Sequence, residues 1–266
     1  MIELVKTPTS NIFFNLVSNC NNEMILCAPY IKSETVNEIL NKKKSSSKLT
    51  VITSSNISNF IQRSSDLSAI RKLLDNKATV LNYQDLHAKI YLFDKLKALI
   101  TSANLTYYGM YHNYEYGVLI DNNDEIMDQI ETDFLEMFES KLYGEFDDAK
   151  LDDIEKTISN VESTKYVIKE INGDNTLVIE DVGALLDNMS SWQKDVFYII
   201  DKLPNNDFVL KDVYKYKDEV ALKHPNNHNI EPKIRQILQQ LRDLGLVKFT
   251  KSVQYKKLFI HNGELV

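Results

Sequence analysis

The sequence has little of what secreted scaffolds and membrane proteins depend on. Only two of its 266 residues, Cys20 and Cys27, are cysteines, which argues against a disulfide scaffold and a Cys-rich zinc site. No apolar run approaches the roughly 20 residues that cross a bilayer. The first ten residues show no basic start followed by an apolar core, so no signal peptide is expected. These absences predict a cytoplasmic protein that does not act at a membrane.

Basic residues are scarce in the middle of the chain. Residues 121–190 hold 5 Lys or Arg against 20 Asp or Glu, whereas the blocks before and after each hold 13 against 9. The net charge of −7 therefore hides two mildly basic blocks, and nucleic-acid binding must be judged block by block. We expect the acidic stretch to be a solvated, partly helical linker. Two alternatives stay open: it competes with DNA for a basic cleft, or its first helix packs into a dimer.

Short β-branched or aromatic runs alternate with helical patterns in the first block, which predicts an α/β domain over residues 1–145. Helices are expected at 33–43 and 64–76, where apolar spacing follows a plausible Ser or Asp cap. A long amphipathic helix is expected at 123–143, where Ile126, Ile130, Phe134 and Phe138 have helical spacing. Strands are expected at 24–31, 49–54, 78–83, 88–93, 97–102 and 116–121. The strands at 88–93 and 97–102 follow each other so closely that they should form an antiparallel hairpin.

Residues 146–190 are predicted to connect two domains, with a possible strand pair at 164–180 around the turn sequence "NGDN". The last block, 191–266, differs in kind. It contains three helical patterns and a probable hairpin at 246–260, the order found in a winged helix, a helix-turn-helix variant. The third helix should begin near Pro232 and stop at Gly245. Its apolar face comprises Ile234, Ile237, Leu238, Leu241 and Leu244.

The stretch "LHAKIYLFDKLKALITSAN" (86–104) carries the chemistry. In an extended chain His87 and Lys89 share a face, and the returning strand brings Ser102 and Asn104 alongside. Lysine and asparagine donate to phosphoryl oxygens, and histidine can attack phosphorus or move a proton near neutral pH. A histidine two residues before a lysine is common on exposed strands, but in register with Asp94, Ser102 and Asn104 it is restrictive.

This stretch resembles the signature of the phospholipase D superfamily, H-x-K-x4-D-x6-G-S-x-N, with Thr101 where the family usually has glycine. Asn113 and Glu115 resemble the N-x-E that nuclease-type members carry soon after the motif, and "LCAPYI" resembles the family's first core strand. The resemblance covers roughly residues 10–145. It implies a mixed sheet flanked by helices.

The resemblance also implies a role for each residue of the motif. His87 would be the nucleophile and form a phosphohistidine that water then resolves. Lys89 and Asn104 would hold the non-bridging oxygens, and Ser102 and Glu115 would orient the imidazole.

The mechanism needs two histidines, and the chain has one motif. His112, for example, lacks the lysine two residues later. Resemblance to single-motif members implies a homodimer, in which His87 of each subunit enters one composite site. Asp94 is expected to be structural, because it should leave its strand on the face opposite His87. No metal or other cofactor is expected, because the sequence shows no carboxylate cluster for Mg²⁺.

The segment "LKHPNNHNIEPKIRQILQQLRDLGLVKF" resembles the winged-helix domain appended to several restriction endonucleases, including methyl-directed ones, over about 190–260. Arginine and glutamine could read guanine and adenine edges, and lysine could contact phosphates. The candidate DNA contacts are Asn227, Lys233, Arg235, Gln236 and Gln239, with Lys251 and Lys256 on the wing. Alternatively, the arginine and glutamine side chains only keep the helix surface solvated or form part of a domain interface.

Together the two halves predict a metal-independent type II restriction endonuclease that acts on double-stranded DNA as a homodimer. The alternative is a phospholipase D-family DNA nuclease with little sequence specificity, acting in defence or repair. A DNA-binding regulator with an inactive nuclease fold also remains open. A phospholipid-hydrolysing enzyme is disfavoured, because it should show two copies of the motif or an amphipathic membrane-surface segment.

Overall fold

The structure, a computed structural model, describes residues 1–54, 56–140, 142–171, 173–179, 182–187, 189–251 and 253–261. The chain forms two compact units. One comprises Met1–Ser55 and Arg63–Asp148, and the other comprises Asn56–Gln62 and Ala149–Val266. Within the described ranges, no helix is both long and apolar enough to cross a membrane.

The first unit is built on an eight-stranded mixed sheet in the order β1-β7-β6-β5-β2-β3-β4-β8. The strands are β1 (Ile2–Lys6), β2 (Glu23–Cys27), β3 (Lys48–Thr53), β4 (Thr79–Tyr83), β5 (Ile90–Phe93), β6 (Lys97–Thr101), β7 (Tyr116–Asp121) and β8 (Tyr143–Glu145). The helices up to residue 139 are α1 (Ser10–Asn19), α2 (Ser33–Lys42), α3 (Ile57–Ile61), α4 (Leu67–Asp75), α5 (Tyr107–Tyr111) and α6 (Asp124–Glu139), of which α3 belongs to the second unit. The predicted α/β fold with a mixed sheet is confirmed.

Helices cover both faces of this sheet. The ring of Phe13 from α1 meets the ring of Tyr91 edge-on at 4.9 Å between centroids. On the other face, Ile130 and Phe134 of α6 belong to one buried cluster with Leu92 of β5. Burying a side chain of this size stabilises the fold by about 1.5–3 kcal/mol. The helix α6 therefore packs on the sheet of its own unit.

The predictions from the sequence were right for the interior strands of the sheet and missed the strands at its two edges. The antiparallel hairpin of β5 and β6 is confirmed, but β5 begins at Ile90, so His87 and Lys89 precede the strand. The predicted helix at 123–143 is too long, because the chain must become extended at Tyr143 for β8 to pair with β4. Neither β1 nor α1 was predicted.

The second unit contains a winged helix. After α3 its elements are α7 (Asp148–Glu162), β9 (Tyr166–Ile171), β10 (Asp174–Ile179), α8 (Val182–Leu186), α9 (Ser191–Lys202), β11 (Asp207–Val209), α10 (Leu210–Tyr214), α11 (Lys217–Lys223), α12 (Ile230–Asp243), β12 (Val247–Lys251), β13 (Gln254–Lys257) and β14 (Phe259–His261). The helices α9 to α12 and the sheet β11-β13-β12 make the winged helix, which confirms that prediction. The second of its predicted helices is divided into α10 and α11.

Residues 149–179 are not a solvated linker. The strands β9 and β10 form the predicted antiparallel pair, and β10 also pairs in parallel with β14, where Leu177 faces Phe259. Both of these side chains are buried. The helix α7 is amphipathic, with Leu151 and Ile154 buried. Most acidic residues of this stretch thus lie on the outer faces of folded elements, and residues 149–179 belong to the second unit.

A largely buried ion triad, in which only Lys256 is fully buried, ties this hairpin to the wing. The carboxylate of Asp174 accepts hydrogen bonds from Lys248 Nζ at 2.9 Å and from Lys256 Nζ. Burial favours a higher pKa for Asp174, but the hydrogen bonds from Lys256 and Lys248 outweigh it and lower the pKa. Lys256 is buried and paired, so the expectation that it contacts DNA phosphate does not fit the structure.

The predicted end of the third winged-helix helix is confirmed at Gly245, where φ is +73°. A Cβ atom built on Gly245 would lie 2.7 Å from the Cα of Asn56, which leads into α3. Gly173, in the β9–β10 turn, has a similar φ of +82°, but no described atom lies within 4 Å of its Cβ position. The two glycines thus differ in crowding and share a backbone conformation.

We predict that Gly245→Ala destabilises the protein more than Gly173→Ala does. The left-handed conformation costs each alanine about 1–2 kcal/mol, and Gly245→Ala adds the displacement of Asn56. Urea unfolding of both variants measures the difference. Equal losses of unfolding free energy would show that α3 does not pack against Gly245.

Candidate active site

Three neighbouring strands bring the motif residues to one edge of the sheet of the first unit. Ile90 of β5 faces Ile100 of β6, and Thr101 of β6 faces Gly117 of β7. Because each pair is antiparallel, the start of β5, the end of β6 and the start of β7 coincide. The flanking residues therefore converge on one edge, namely His87 and Lys89 before β5, Ser102 and Asn104 after β6, and Glu115 before β7.

His87 and Lys89 are direct neighbours at this edge. Lys89 Nζ lies 3.5 Å from His87 Nδ1 and donates a 2.6 Å hydrogen bond to the His87 carbonyl oxygen. The His87 side chain is exposed and Lys89 is half-buried. Partial burial lowers the pKa of Lys89, and the negative charge of Glu115 opposes that change. The arrangement presents an imidazole and a cation to the same ligand.

Glu115 is a buried carboxylate with two side-chain donors. Its side chain is 8% exposed. Oε2 accepts a short hydrogen bond from Ser102 Oγ, and Oε1 accepts one of 3.2 Å from Asn113 Nδ2. Ser102 Oγ in turn accepts the backbone N–H of Tyr116 at 3.1 Å. The serine and the glutamate are thus fixed as a pair, close enough to Lys89 to influence its charge.

The backbone of Asn104 is held tightly, while its side chain is not. The Asn104 carbonyl oxygen accepts the N–H of Thr106 at 2.8 Å. A Cβ atom on Gly109 would lie 2.7 Å from that oxygen, so α5 can approach only because residue 109 is glycine. The amide oxygen of Asn104 is buried and has no hydrogen-bond partner among the described residues. This oxygen therefore has unused hydrogen-bonding capacity within the site.

Thr101, which stands where the signature has glycine, is accommodated by a glycine across the strand. Thr101 is buried, and its hydroxyl donates to the Tyr116 carbonyl oxygen at 3.2 Å and accepts the N–H of Ala103 at 3.2 Å. Its partner is Gly117, where an added Cβ would lie 2.8 Å from the Cβ of Thr101. The departure from the signature is therefore compensated locally.

Asp94 lies in the β5–β6 turn, at the end of the hairpin away from His87. It has a positive φ of 52°. Its carboxylate accepts the backbone N–H groups of Asn21, Asn22 and Glu23 at 2.8, 2.7 and 3.1 Å. Burial raises its pKa, but these three donors outweigh burial and lower it. These bonds hold the turn against the start of β2, as a structural role requires.

In the second unit, most of the candidate DNA contacts lie on the outer face of α12. Arg235, Gln236 and Gln239 are exposed, opposite the buried apolar face that was predicted. Lys233 Nζ donates to Gln236 Oε1 at 2.8 Å, and Arg235 Nε donates to the hydroxyl of Tyr214 at 2.6 Å. This face thus groups amide and guanidinium donors of the kind that read base edges.

Two further candidates lie outside α12. Asn227 is half-buried in the loop before it, and its Oδ1 accepts the N–H of Asn229 at 2.8 Å. Lys251 is exposed at the end of β12. The first therefore shapes the loop, and the second is available to a phosphate.

Sequence reasoning missed Thr7. Its hydroxyl accepts the backbone N–H of Glu115 at 2.6 Å and donates to the carbonyl oxygen of Asn113 at 2.5 Å. No pattern near the motif signals this contact, because the partners are more than a hundred positions apart. Only the pairing of β1 with β7 brings them together.

Two family models match separate parts of the chain. Residues 13–138 match the family described as "Cardiolipin synthase, PLD-like domain". Residues 188–257 match the family described as "Dam-replacing HTH domain". The two matches fall on the sheet of the first unit and on the winged helix of the second.

Several solved structures resemble part of the chain. Nuc from Salmonella typhimurium, a phospholipase D family member, is 12% identical, and the match covers 55% of this chain and 97% of that one with a TM-score of 0.47. NucT from Helicobacter pylori is 17% identical over 53% of this chain and 96% of that one, with a TM-score of 0.43. TrmBL2, an archaeal chromatin protein, is 13% identical over 52% of each chain, with a TM-score of 0.36.

The geometry of the motif residues and the two family matches lead to one identification. Residues 13–138 are similar to a phospholipase D-like domain, and residues 188–257, which form the winged helix, are similar to the Dam-replacing HTH domain.

Proposed function

We propose that this protein is a DNA endonuclease that cleaves phosphodiester bonds through a phosphohistidine at His87, and that it acts as a type II restriction endonuclease. The observation that carries the proposal is the grouping of His87 and Lys89 with the hydrogen-bonded Ser102–Glu115 pair in a phospholipase D-like domain joined to an HTH domain.

In the first step, a ring nitrogen of His87 attacks phosphorus. A nitrogen–phosphorus bond forms, and the bond from phosphorus to the leaving oxygen breaks. Lys89 and the Asn104 amide meet the non-bridging oxygens as negative charge builds there. Within the described residues, no three His, Cys, Asp or Glu side chains are grouped to hold a metal ion. The proposal therefore assigns charge stabilisation to side chains of this chain.

The leaving oxygen needs a proton, and a second histidine would supply it. In the second step that histidine takes a proton from water, which attacks phosphorus, breaks the nitrogen–phosphorus bond and frees His87. His112 is in the same unit, but it lies 8 residues beyond Asn104, in a sequence without the lysine of the motif. We therefore assign the second imidazole to His87 of a second subunit.

An exposed apolar row on the first unit supports a dimer. Side chains on alternate residues of paired strands share one face, and the register places Leu4 opposite the half-buried Val118 and Ile2 opposite Ile120, which is itself buried in the cluster under α6. Ile2 and Leu4 are 61% and 67% exposed, and Tyr116, on the same face, is 49% exposed. This row of Ile2, Leu4 and Tyr116 ends next to Glu115, which precedes Tyr116 in the chain. A second copy docked on the row would therefore lie beside the site.

DNA recognition is assigned to the winged helix. Arg235, Gln236 and Gln239 on the exposed face of α12 would meet base edges, and Lys251 would meet a phosphate. The match to the Dam-replacing HTH family and the resemblance of this segment to domains of restriction endonucleases favour a sequence-specific enzyme. Methyl-directed cleavage is compatible with both.

We predict that duplex DNA is cleaved in the presence of EDTA and that His87→Ala lowers the rate at least about 10³-fold, as loss of a nucleophile does. His112→Ala is the matched control, because it removes another exposed histidine of the same unit, and it should leave cleavage intact. A plasmid-nicking assay measures all three proteins. Strict dependence on Mg²⁺, or an active His87→Ala variant, would contradict the mechanism.

We predict that Leu4→Lys weakens the dimer and lowers cleavage in parallel, because a charge replaces an apolar side chain worth about 1.5–3 kcal/mol when buried. Leu96→Lys, in the β5–β6 turn and 51% exposed, is the control that should change neither property. Sedimentation velocity and cleavage rates are measured over a range of protein concentrations. A Leu4→Lys monomer that cuts at the wild-type rate would rule out the composite site.

We predict that digestion of genomic DNA produces ends that share one short sequence. Sequencing the ends from methylated and unmethylated DNA gives the site, the cut position and the methylation requirement. Ends scattered without a common sequence would instead favour the alternative, a phospholipase D-family nuclease of low specificity in defence or repair.

A further inference from the structure

Glu115 sits just outside the strand that follows it. The strand β7 begins at Tyr116, which pairs with Lys6, the last residue of β1. Regular pairing of β1 with β7 therefore stops one residue short of Glu115. The end of a ladder formed with an edge strand can fray. The backbone of Glu115 therefore depends on contacts beyond this ladder.

Thr7 supplies this contact with both its backbone and its side chain. Its N–H donates to the Glu115 carbonyl oxygen at 3.2 Å, which extends the β1–β7 pairing by one residue. Its hydroxyl accepts the N–H of Glu115 at 2.6 Å and donates to the Asn113 carbonyl oxygen at 2.5 Å. One hydroxyl thus bridges the peptide groups on both sides of Tyr114.

The bridged segment contains the Glu115 carboxylate and one of its two side-chain donors, Asn113, whereas the other donor, Ser102, follows β6. Asn113 Nδ2 donates to Oε1, and the hydroxyl of Ser102 donates to Oε2. If the backbone of residues 113–115 shifts, the carboxylate moves relative to Ser102 and Lys89. A misplacement of about 1 Å in a site can cost about 10²-fold in rate.

We propose that Thr7 is a positioning residue for the cleavage reaction, whose hydroxyl holds Glu115 in place for catalysis. This inference rests on the proposed function. Thr7 touches neither His87 nor Lys89 through any described contact, so its effect is exerted through Glu115. The hydroxyl should therefore matter for the rate of the chemical step and not for the binding of DNA.

Thr9 offers a matched control two residues further along. It is 1% exposed, and its hydroxyl is buried without a hydrogen-bond partner among the described residues. Replacing either threonine with valine removes a hydroxyl and keeps the shape of the side chain. Only Thr7→Val leaves the N–H of Glu115 and the carbonyl of Asn113 without this partner.

The test compares Thr7→Val, Thr7→Ser and Thr9→Val with the wild type in steady-state DNA cleavage, with thermal midpoints measured alongside. We expect Thr7→Val to lower kcat by about 10- to 100-fold with KM within about twofold. Thr7→Ser, which keeps the hydroxyl, should restore most of kcat, and Thr9→Val should match the wild type. If Thr7→Val does not fold, Thr7→Ala replaces it as the variant that lacks the hydroxyl.

Four kinetic results would overturn the proposal. These are a wild-type kcat in Thr7→Val, an equal loss in Thr7→Ser, an equal loss in Thr9→Val, and a change confined to KM. Failure of both Thr7→Val and Thr7→Ala to fold would also overturn it, because the hydroxyl would then be needed for folding. Failure of the proposed function is recognised separately, because the wild type would then not cleave, or His87→Ala would remain active.

Discussion

The site depends on one buried charge, the carboxylate of Glu115. A carboxylate that is 8% exposed is stable only if donors replace the water it has lost. Ser102 and Asn113 donate to its two oxygens, and its charge opposes the fall in the pKa of Lys89 that burial causes. Compensating this carboxylate therefore ties the end of β6 to the start of β7. It also keeps a cation next to His87, where phosphate charge would have to be balanced.

The motif and the interior strands could be predicted because their signals are local. The alternation of side chains along 88–93 and 97–102 fixes the hairpin, and the hairpin brings His87 toward Ser102 and Asn104. Thr7 carried no such signal. Its role depends on an antiparallel pairing between residues more than a hundred positions apart, and nothing in "MIELVKTPTS" distinguishes its hydroxyl from that of Thr9.

The remaining differences have the same origin, since distant pairing outweighs local pattern. The acidic composition of residues 146–190 suggested a linker, but Leu177 is buried against β14 from the far end of the chain. Lys256 looked like a phosphate contact on a wing, yet Asp174 from the β9–β10 hairpin binds it. The helix predicted over 123–143 ends at Glu139, because the chain then becomes extended and forms β8, which pairs with β4.

The central claim is that two copies of His87 make one catalytic centre, with one attacking phosphorus while the other donates a proton. Trapping the intermediate tests this most directly. A cleavage reaction with end-labelled DNA is quenched at alkaline pH, where phosphohistidine survives, and the modified peptide is identified and counted by mass spectrometry. The account predicts an adduct on His87 alone, at no more than one per two subunits. An adduct on another residue, no adduct under single-turnover conditions, or one on every subunit would contradict it.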